Sequence, residues 1–303
     1  MTAIDLTGRV VVVTGSGRGL GRSYVLALAA AGAAVVVNDV DAEAAAETAR
    51  LVAESGGRAA VVVAPVGPAE TAEQLVATAV SEFGRLDAMV ANAGVLRDRV
   101  SWKMTDDDFD VVVATHLRGS FTCARAAAVH FREAGEGGRI VLIGSPAGQF
   151  GSFGQTAYAA SKAGIVAMAR TLSLELARAE VTVNAVIPTA MTEMTGTMPI
   201  YADAWAAFQA GQPLPRVIRQ DHALGSPADV APLVVWLAST RSAGVTGQAI
   251  GLGGDRLTLY AHPAPLLTRD AEGGWTADGI ADVWESELAA SAQASGPTFA
   301  PLD

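Results

Sequence analysis

The 303-residue sequence is acidic, with a formal net charge of −10 and a pI near 4.9, and half of its residues are hydrophobic. This charge excludes a broad nucleic-acid-binding face and attraction to an anionic membrane, because both need a basic surface. Cys123 is the single cysteine, so neither an intramolecular disulfide nor a cysteine-rich zinc site is possible. Since no signal peptide and no apolar run of roughly 20 residues is visible, we expect a soluble cytoplasmic protein without a membrane partner.

Short Val- and Ile-rich runs alternate with longer Ala-rich stretches, a rhythm typical of a parallel sheet with helices on both faces. The predicted strands are Val10–Val13, Ala34–Asn38, Ala59–Val63, Ala88–Ala91, Arg139–Gly144, Val181–Ile187 and Gln248–Leu252. The predicted helices are Gly19–Ala31, Ala42–Glu54, Thr71–Phe83, Asp106–Ala134, Gln155–Ala179 and Ala228–Ser239. We therefore expect a single α/β domain, residues 1–254, with a Rossmann-type, doubly wound, seven-stranded parallel sheet.

Two segments depart from this rhythm. Residues 189–226 contain prolines and mixed polarity between the sixth strand and the last helix, and a long insertion of this kind predicts a lid over the substrate. Residues 255–303 form a C-terminal extension that is too small for an independent domain. The extension holds Trp275, Trp284 and a short helical pattern around Gly279–Ala290. We expect it to pack on its own subunit or on a neighbouring one.

The first strand runs directly into a glycine-rich turn, residues 14–21, which precedes a helix. Glycine lets the backbone approach a pyrophosphate, whose charge then faces the N–H groups of the helix start. The residues predicted to contact a dinucleotide on this turn are Gly15, Ser16, Arg18, Gly19, Leu20 and Gly21. A glycine turn without a ligand stays open as the plain alternative.

Asp39 follows the second strand, about 18 residues past the last glycine of the turn. A carboxylate at this place can accept hydrogen bonds from a ribose and repel a 2′-phosphate, which favours NAD over NADP. Two alternatives stay open. Asp39 or Asp41 could simply cap the following helix, and Arg18 could serve a 2′-phosphate.

Tyr158 and Lys162 lie four residues apart in a strongly helical stretch, so both project from one face. A cationic ammonium near a phenol favours the phenolate, which predicts a pKa of Tyr158 below its ordinary value of about 10. Ser145 follows a predicted strand, at the carboxyl end where open α/β sheets bind ligands. Its hydroxyl can hold a substrate oxygen beside Tyr158. These groups predict hydride transfer between a nicotinamide dinucleotide and a secondary alcohol or its ketone.

The order and spacing of these residues resemble the short-chain dehydrogenase/reductase family over about residues 5–255. The matching positions are the turn 14–21, Asn92-Ala93-Gly94, Ser145, Tyr158 and Lys162. The resemblance implies that Lys162 also holds the nicotinamide ribose. It further implies that Asn92 braces the central strand near the cofactor, with Ala93 and Gly94 beside it, and that the segment at Pro188 borders the nicotinamide.

A closer resemblance is carried by segments 94–99 and 115–121 and by Asn38-Asp39. These segments are similar to the (3R)-hydroxyacyl-CoA dehydrogenase domains of multifunctional β-oxidation enzymes, which use NAD. That branch implies a 3-hydroxyacyl-CoA substrate, and the family implies a homotetramer or homodimer built through the two long helices. His116 stands where many family members carry a catalytic Asn, which implies a place for His116 in the relay beside Lys162. A purely structural histidine stays open.

Two positions depart from the family pattern. Ala64-Pro65-Val66 replaces the Asp-Val that usually meets the adenine, so Val66 is expected to pack on the ring without an Asp contact. Pro188-Thr189 replaces a Pro-Gly turn, and the threonine that would touch the carboxamide is expected at Thr192.

The substrate is left open by the sequence. Four basic side chains could meet the phosphates of coenzyme A: Arg97, Arg99, Lys103 and Arg118. Seven apolar side chains could instead line a pocket for a steroid, a terpene or another cyclic alcohol: Phe150, Phe153, Met191, Met194, Met198, Trp205 and Phe208. A solvated basic face and ordinary lid packing are the plain alternatives.

No metal site is expected, because the four histidines are scattered without ligand spacing. A remote alternative to an enzyme is a dinucleotide-sensing protein that has lost its chemistry. The presence of both Tyr158 and Lys162 speaks against it.

Overall fold

The computed structural model describes residues 3–196 and 198–296. Within these residues, eight strands form one sheet in the order β3-β2-β1-β4-β5-β6-β7-β8. The strands are β1 (Val10–Val13), β2 (Ala34–Asp39), β3 (Arg58–Val63), β4 (Ala88–Ala91), β5 (Gly138–Ile143), β6 (Val181–Pro188), β7 (Ala249–Gly253) and β8 (Arg256–Tyr260). Neighbours among β1 to β7 are parallel, whereas β8 runs antiparallel to β7.

Helices follow most of the strands. They are α1 (Gly19–Ala30), α2 (Ala42–Glu54), α3 (Ala69–Phe83), α4 (Asp106–Val113), α5 (Gly119–Ala134), α6 (Ala147–Phe150), α7 (Thr156–Glu175), α8 (Glu193–Gly196), α9 (Ala202–Gln209), α10 (Arg216–Gln220), α11 (Pro227–Leu237) and α12 (Ala277–Val283). A π-helical turn, Ala114–Arg118, joins α4 to α5, so the predicted helix Asp106–Ala134 is interrupted. None of the helices described is long and apolar enough to span a membrane.

The strand side chains alternate between the two faces of the sheet, which is why helices pack on both. Val10 and Val12 of β1 belong to the core beneath α3, α5 and α7. Val11 and Val13 belong to the core beneath α1, α2 and α11. The doubly wound architecture therefore matches the prediction.

The predicted count of seven strands is wrong by one. Residues 256–260, placed in the C-terminal extension from the sequence, form β8 on the open edge of β7. Leu257 and Leu259 remain largely exposed, so this strand is held by main-chain pairing rather than by burial of an apolar face. The boundary predicted at residue 254 thus falls inside the turn between two paired strands, and the division of the chain into a domain and an extension stays a prediction.

Residues 189–226 form a layer of short helices with a small core of its own. Its buried members are Met191, Tyr201, Leu214, Ile218 and Leu224. The rings of Trp205 and Phe208 stack against each other with centroids 6.1 Å apart, on the margin of this core. The side chain of Met194, predicted to line a pocket, lies outside the described residues. A substrate role for this lid stays a prediction.

Residues 261–296 lie mostly exposed on the surface. They include α12 followed by single turns to Ser291, in line with the helical pattern read around Gly279–Ala290. Two contacts connect the chain after β7 to α6, which follows Ser145: Gly296 N–H donates to the carbonyl oxygen of Phe150 at 2.7 Å, and the ring of Tyr260 at the end of β8 lies 6.2 Å from the ring of Phe150. Residues 297–303 lie outside the described part of the chain.

Candidate active site

Four side chains predicted to react meet at the carboxyl edge of the sheet. Ser145 follows β5, Tyr158 and Lys162 lie on α7, and His116 comes from the π-helical turn. The Nζ atom of Lys162 lies 5.5 Å from the centre of the Tyr158 ring. The ring of His116 approaches the same phenol edge-on, with centroids 5.0 Å apart and an angle of 88° between the planes. Three separate elements therefore surround one phenol.

Lys162 is buried, and its Nζ donates a hydrogen bond to the carbonyl oxygen of Ile143 at 2.6 Å. Burial disfavours the charged ammonium and lowers the pKa of Lys162 to about 7. Both the protonated and the neutral amine are therefore accessible near neutral pH.

The pKa of Tyr158 is raised above its ordinary value, chiefly by burial. A side-chain hydrogen bond with Ser145 acts in the opposite direction, and the negative charge of Asp98 raises the pKa further. The lowering that we expected from Lys162 is thus not found. Burial has the largest effect on the pKa of Tyr158, and Lys162 is itself buried and only partly charged at neutral pH.

His116 is locked against the loop that follows β4. Its Nε2 lies 3.0 Å from the amide nitrogen and 2.8 Å from the carbonyl oxygen of Val95, and the tautomer decides which contact is the hydrogen bond. A Cβ on Gly94 would come within 2.2 Å of the imidazole, so only glycine fits beneath the ring. Within residues 3–196 and 198–296 the buried Nδ1 has no hydrogen-bond partner.

Burial, followed by the charge of Lys162, lowers the pKa of His116 to about 3. The imidazole is therefore neutral at neutral pH. Any relay through His116 must use a neutral ring that accepts on one nitrogen and donates on the other.

The glycine turn is braced from the neighbouring strand. The Asn92 amide donates to the carbonyl oxygens of Thr14 at 2.9 Å and Gly15 at 3.0 Å. Gly15 and Gly19 adopt positive φ of 60° and 55°, and a Cβ on Gly15 would lie 2.6 Å from the Cα of Ala93. A Cβ on Gly21 would lie 2.2 Å from the Gly15 carbonyl oxygen. The turn therefore leaves no room for a side chain at Gly15 or Gly21.

This turn suits the pyrophosphate of a dinucleotide. Helix α1 begins after Arg18 with no side-chain cap and no acidic residue in its first turn, which includes Leu20. Its N–H groups are consequently not used by a protein carboxylate, and the positive end of the helix dipole faces the turn. Ser16 lies buried in the turn and donates through its hydroxyl to the carbonyl oxygen of Val13 at 2.8 Å.

The two carboxylates after β2 have different partners. Asp39 accepts from the N–H of Gly17 at 2.9 Å and from the N–H of Asp41 at 3.1 Å. Asp41 caps α2 by accepting two N–H groups of its first turn, and it also forms an ion pair with Arg18. The helix cap is therefore Asp41, and Asp39 faces the glycine turn instead.

The remaining predicted cofactor positions lie along the same edge. Val66 lies in the loop after β3 and packs against Gly119. A Cβ added to Gly119 would lie 2.8 Å from the Val66 side chain. Pro188 is the last residue of β6. Thr192 precedes α8, and its hydroxyl lies 3.3 Å from that of Thr195. Ala93 follows Asn92, and its N–H donates to the hydroxyl of Thr14 at 3.1 Å.

Thr14 was not singled out by the sequence, yet its hydroxyl accepts from the N–H groups of both Asn92 and Ala93. It joins the tips of β1 and β4 directly below the turn. Its place immediately before the first glycine is the local signal that could have identified it.

The basic residues predicted near coenzyme A phosphates are not equivalent. Arg99 pairs with Asp108 at 2.9 Å, and Arg118 donates to the carbonyl oxygen of Gly67 at 3.3 Å. Arg97 and Lys103 are exposed and form no ion pair among the residues described. These two can therefore bind an anionic ligand without losing an ion pair, although Arg97 would give up its hydrogen bond to the carbonyl oxygen of Leu96 at 2.7 Å.

The apolar side chains predicted to line a substrate pocket fall into a buried and an exposed group. Met191 is fully buried in the lid core, and Trp205 and Phe208 pack on its margin. Phe150, Phe153 and Met198 are exposed. In the part of the chain that the structure describes, no three His, Cys, Asp or Glu side chains come together as a metal site.

The chain is similar to known proteins over most of its length. Residues 9–201 match the family model described as short chain dehydrogenase. The chain is 39% identical to hydroxyacyl-CoA dehydrogenase ChsB1 of Mycobacterium tuberculosis, over 86% of this chain and 81% of that protein. It is 35% identical to peroxisomal multifunctional enzyme type 2 of Mus musculus over 92% of this chain, which spans only 36% of that longer protein.

Solved structures are similar over the same region and beyond it. A short chain dehydrogenase from Mycobacterium avium superimposes with a TM-score of 0.83 and 34% identity, covering 99% of this chain and 100% of that one. A short chain dehydrogenase from Mycobacterium paratuberculosis bound to NAD has a TM-score of 0.73 and 31% identity, covering 82% of this chain and 98% of that one.

Proposed function

The chain belongs to the short-chain dehydrogenase family, as an oxidoreductase of the alcohol/ketone type, and we propose that it interconverts a 3-hydroxyacyl-CoA and its ketone with NAD. The observation that carries this proposal is the convergence of Ser145, Tyr158 and Lys162 at the carboxyl edge of the sheet, next to the braced glycine turn.

In the oxidation direction, Tyr158 as the phenolate accepts the proton of the substrate hydroxyl. The oxidised nicotinamide dinucleotide supplies the hydride acceptor. Ser145 donates a hydrogen bond to the substrate oxygen and fixes it beside the phenol. The proton that Tyr158 has accepted passes on to solvent, and Lys162, when protonated, favours the return of the phenolate by its charge. Reduction of the ketone is the reverse, with Tyr158 as the proton donor.

His116 is assigned a positioning role beside this relay. It is neutral and holds Val95. Its unpartnered Nδ1 is available to a bridging water, and its ring supports the edge of Tyr158.

The residues proposed to hold the dinucleotide follow its length. The pyrophosphate would lie on the main chain of the glycine turn, the adenosine between Asp39 and Val66, and the nicotinamide riboside beside the tips of β4 and β6 and the start of the lid. The residues assigned to these three parts are Gly15, Ser16, Arg18, Gly19, Leu20, Gly21, Asp39, Val66, Asn92, Ala93, Gly94, Tyr158, Lys162, Pro188 and Thr192.

We propose NAD rather than NADP because two carboxylates act against a 2′-phosphate. Asp39 faces the glycine turn, where its charge would repel the phosphate. Asp41 pairs with Arg18, the cation that could otherwise bind that phosphate. The proposal draws further support from the similar Mycobacterium paratuberculosis enzyme, whose structure was determined with NAD bound.

The proposed substrate class is supported by the name of a similar protein and by two exposed basic residues near the site. Hydroxyacyl-CoA dehydrogenase ChsB1 acts, by its name, on a hydroxyacyl-CoA. In this chain Arg97 and Lys103 are exposed near the loop that leaves β4 and could contact the phosphates of such a thioester. A steroid or other cyclic alcohol is less well supported, because Met191, Trp205 and Phe208 already pack the lid core.

We also propose self-association through α5 and α7, as a homotetramer or homodimer. Phe121 on α5 and Leu174 on α7 are exposed, and Leu174 is 81% exposed, which is unusual for a leucine on a long helix. Light scattering coupled to gel filtration measures the assembly. A monomer at micromolar concentration would contradict this proposal.

The experiment that tests the function follows nicotinamide absorbance with NAD and NADP against 3-hydroxyacyl-CoA, steroid and monocyclic alcohol panels. We expect NAD reduction with the 3-hydroxyacyl-CoA panel. Tyr158→Phe should reduce turnover at least about a thousandfold because it removes the acid/base group, while the affinity for NAD stays within about twofold. Retained turnover in Tyr158→Phe would remove this residue from its role. NAD binding without turnover on any panel would favour a dinucleotide sensor.

A further inference from the structure

The loop between β4 and α4 is tied down along its length. Val95 is held by His116 at its start. Further along, the N–H of Arg99 donates to the carbonyl oxygen of Gly154 at 2.8 Å, and Arg99 pairs through its side chain with Asp108 of α4. The loop therefore crosses from the tip of β4 to the segment that leads into α7.

Asp98 contacts the segment that leads into the helix of Tyr158. Its Oδ2 accepts a hydrogen bond from the Nε2 of Gln155 at 2.8 Å. Gln155 is the residue immediately before α7, and Tyr158 follows three residues later in the first turn of that helix. No other acidic side chain acts on Tyr158 among the residues described.

We propose that Asp98 is a positioning residue for the reaction: through its hydrogen bond with Gln155 it fixes the first turn of the helix that carries Tyr158. The proposal rests on the proposed role of Tyr158 as the proton carrier. It assigns a function to a loop residue that neither the glycine turn nor the Ser-Tyr-Lys pattern includes.

The charged and polar groups near Tyr158 come from several elements. Lys162 from α7 is only partly protonated at neutral pH, His116 from the π-helical turn is neutral, and Ser145 after β5 has no charge. Of the two cations next to Asp98 in sequence, Arg99 is paired with Asp108, whereas Arg97 is exposed and donates to the carbonyl oxygen of Leu96.

The consequence concerns the direction of the reaction. Asp98 raises the pKa of Tyr158 beyond the effect of burial. A protonated phenol is the form that donates to a ketone, so Asp98 biases the site toward the form needed for reduction. Oxidation then requires a higher pH than it would without this carboxylate.

Two substitutions separate charge from hydrogen bonding. Asp98→Asn removes the charge and keeps an oxygen that can accept from Gln155, whereas Asp98→Ala removes both. Asp107→Asn, at an exposed position of α4, is the matched control because it changes the net charge equally. We measure kcat/KM for oxidation against pH, and separately the ultraviolet titration of Tyr158 as the difference between each variant with and without Tyr158→Phe.

We expect the acid limb of oxidation and the phenol titration to move about 0.5 pH unit lower in Asp98→Asn, a size set by a solvent-facing charge acting through a high effective dielectric. Asp98→Ala should show the same shift together with a severalfold lower kcat, and Asp107→Asn should match the unsubstituted enzyme. If Asp98→Ala keeps both the kcat and the phenol titration of Asp107→Asn, the proposal is overturned. The phenol titration needs no turnover, so it tests Asp98 even if no alcohol is oxidised and the proposed function fails.

Discussion

The two sides of the catalytic edge are built in different ways. On the cofactor side, buried polar groups and main-chain hydrogen bonds join β1, β2 and β4, with Thr14, Ser16 and Asn92 at their tips. On the side proposed to bind substrate, residues 189–226 have a small separate core and the segment 261–296 is mostly exposed. The proposed dinucleotide site is thus part of the main core, whereas the proposed substrate side is a surface layer on it.

This difference indicates where each property of the enzyme can change. A substitution on the cofactor side disturbs a packed network, so it affects folding and dinucleotide binding together. A substitution in the surface layer removes few buried contacts, so it can alter substrate choice with only a small decrease in the free energy of unfolding.

The largest effect is expected for Lys162→Met, on the buried side, where activity should fall while stability rises. Turnover should fall at least about a thousandfold, because the partner of Tyr158 is lost. The free energy of unfolding should rise by about 2 kcal/mol at pH 7, because a buried amine that resists protonation is replaced by an apolar side chain. Denaturant unfolding and steady-state kinetics measure the two quantities.

The pH dependence follows from the pKa of Lys162. The unfolded chain protonates this amine below its ordinary pKa of 10.5, whereas the folded protein does so only below about 7. Between these values the unfolded state binds more protons, so the contribution of Lys162 to stability should rise from pH 7 toward pH 10.5. In Lys162→Met that rise should disappear. Parallel curves for the two proteins would contradict the burial of the amine.

Next in size is Gly15→Ala, which tests how tightly the cofactor side is packed. A Cβ at Gly15 meets Ala93 at 2.6 Å, whereas Gly19 has a similar positive φ but no atom within 4 Å of a Cβ. We expect about 3 kcal/mol of destabilisation for Gly15→Ala and about 1 kcal/mol for Gly19→Ala, since only the first adds a clash to backbone strain.

Thermal unfolding and calorimetric titration with NAD check this pair of variants. NAD binding should weaken at least about tenfold in Gly15→Ala, because the backbone must shift. Equal destabilisation in the two variants would mean that the strain of positive φ, and not the close approach to Ala93, determines the shape of the turn.

The smallest effect is expected from removal of residues 263–303. Most of the described side chains in this part are exposed, so the free energy of unfolding should change by less than about 1 kcal/mol. NAD affinity should stay within about twofold, while KM for the alcohol should rise several-fold, because the contact between Gly296 and Phe150 reaches the loop between Ser145 and Tyr158. A loss of stability as large as that of Gly15→Ala would mean that this segment contributes to the stability of the main core. The two sides would then not differ in the way described above.

Much of the fold could be predicted because its signals are local. Runs such as Val10–Val13 are buried on both faces of a parallel sheet and therefore read as continuous apolar strands. Strand β8 has no such signal, since its two leucines are exposed and only the free edge of β7 makes it a strand. The π-helical turn could not be predicted from the sequence either. His116, in this turn, fits against Gly94 and Val95, which are about twenty residues away in sequence.

The sequence by itself determined which chemical groups the protein has and their order along the chain: a glycine turn after β1, a carboxylate at the end of β2, and Ser145, Tyr158 and Lys162 at their characteristic spacing. Only the tertiary structure decided how those groups are protonated and paired. Burial raises the pKa of Tyr158 and lowers that of Lys162, and Asp41 rather than Asp39 pairs with Arg18. The physical reason is that desolvation and charge pairing depend on distances through space between segments that are far apart in the chain.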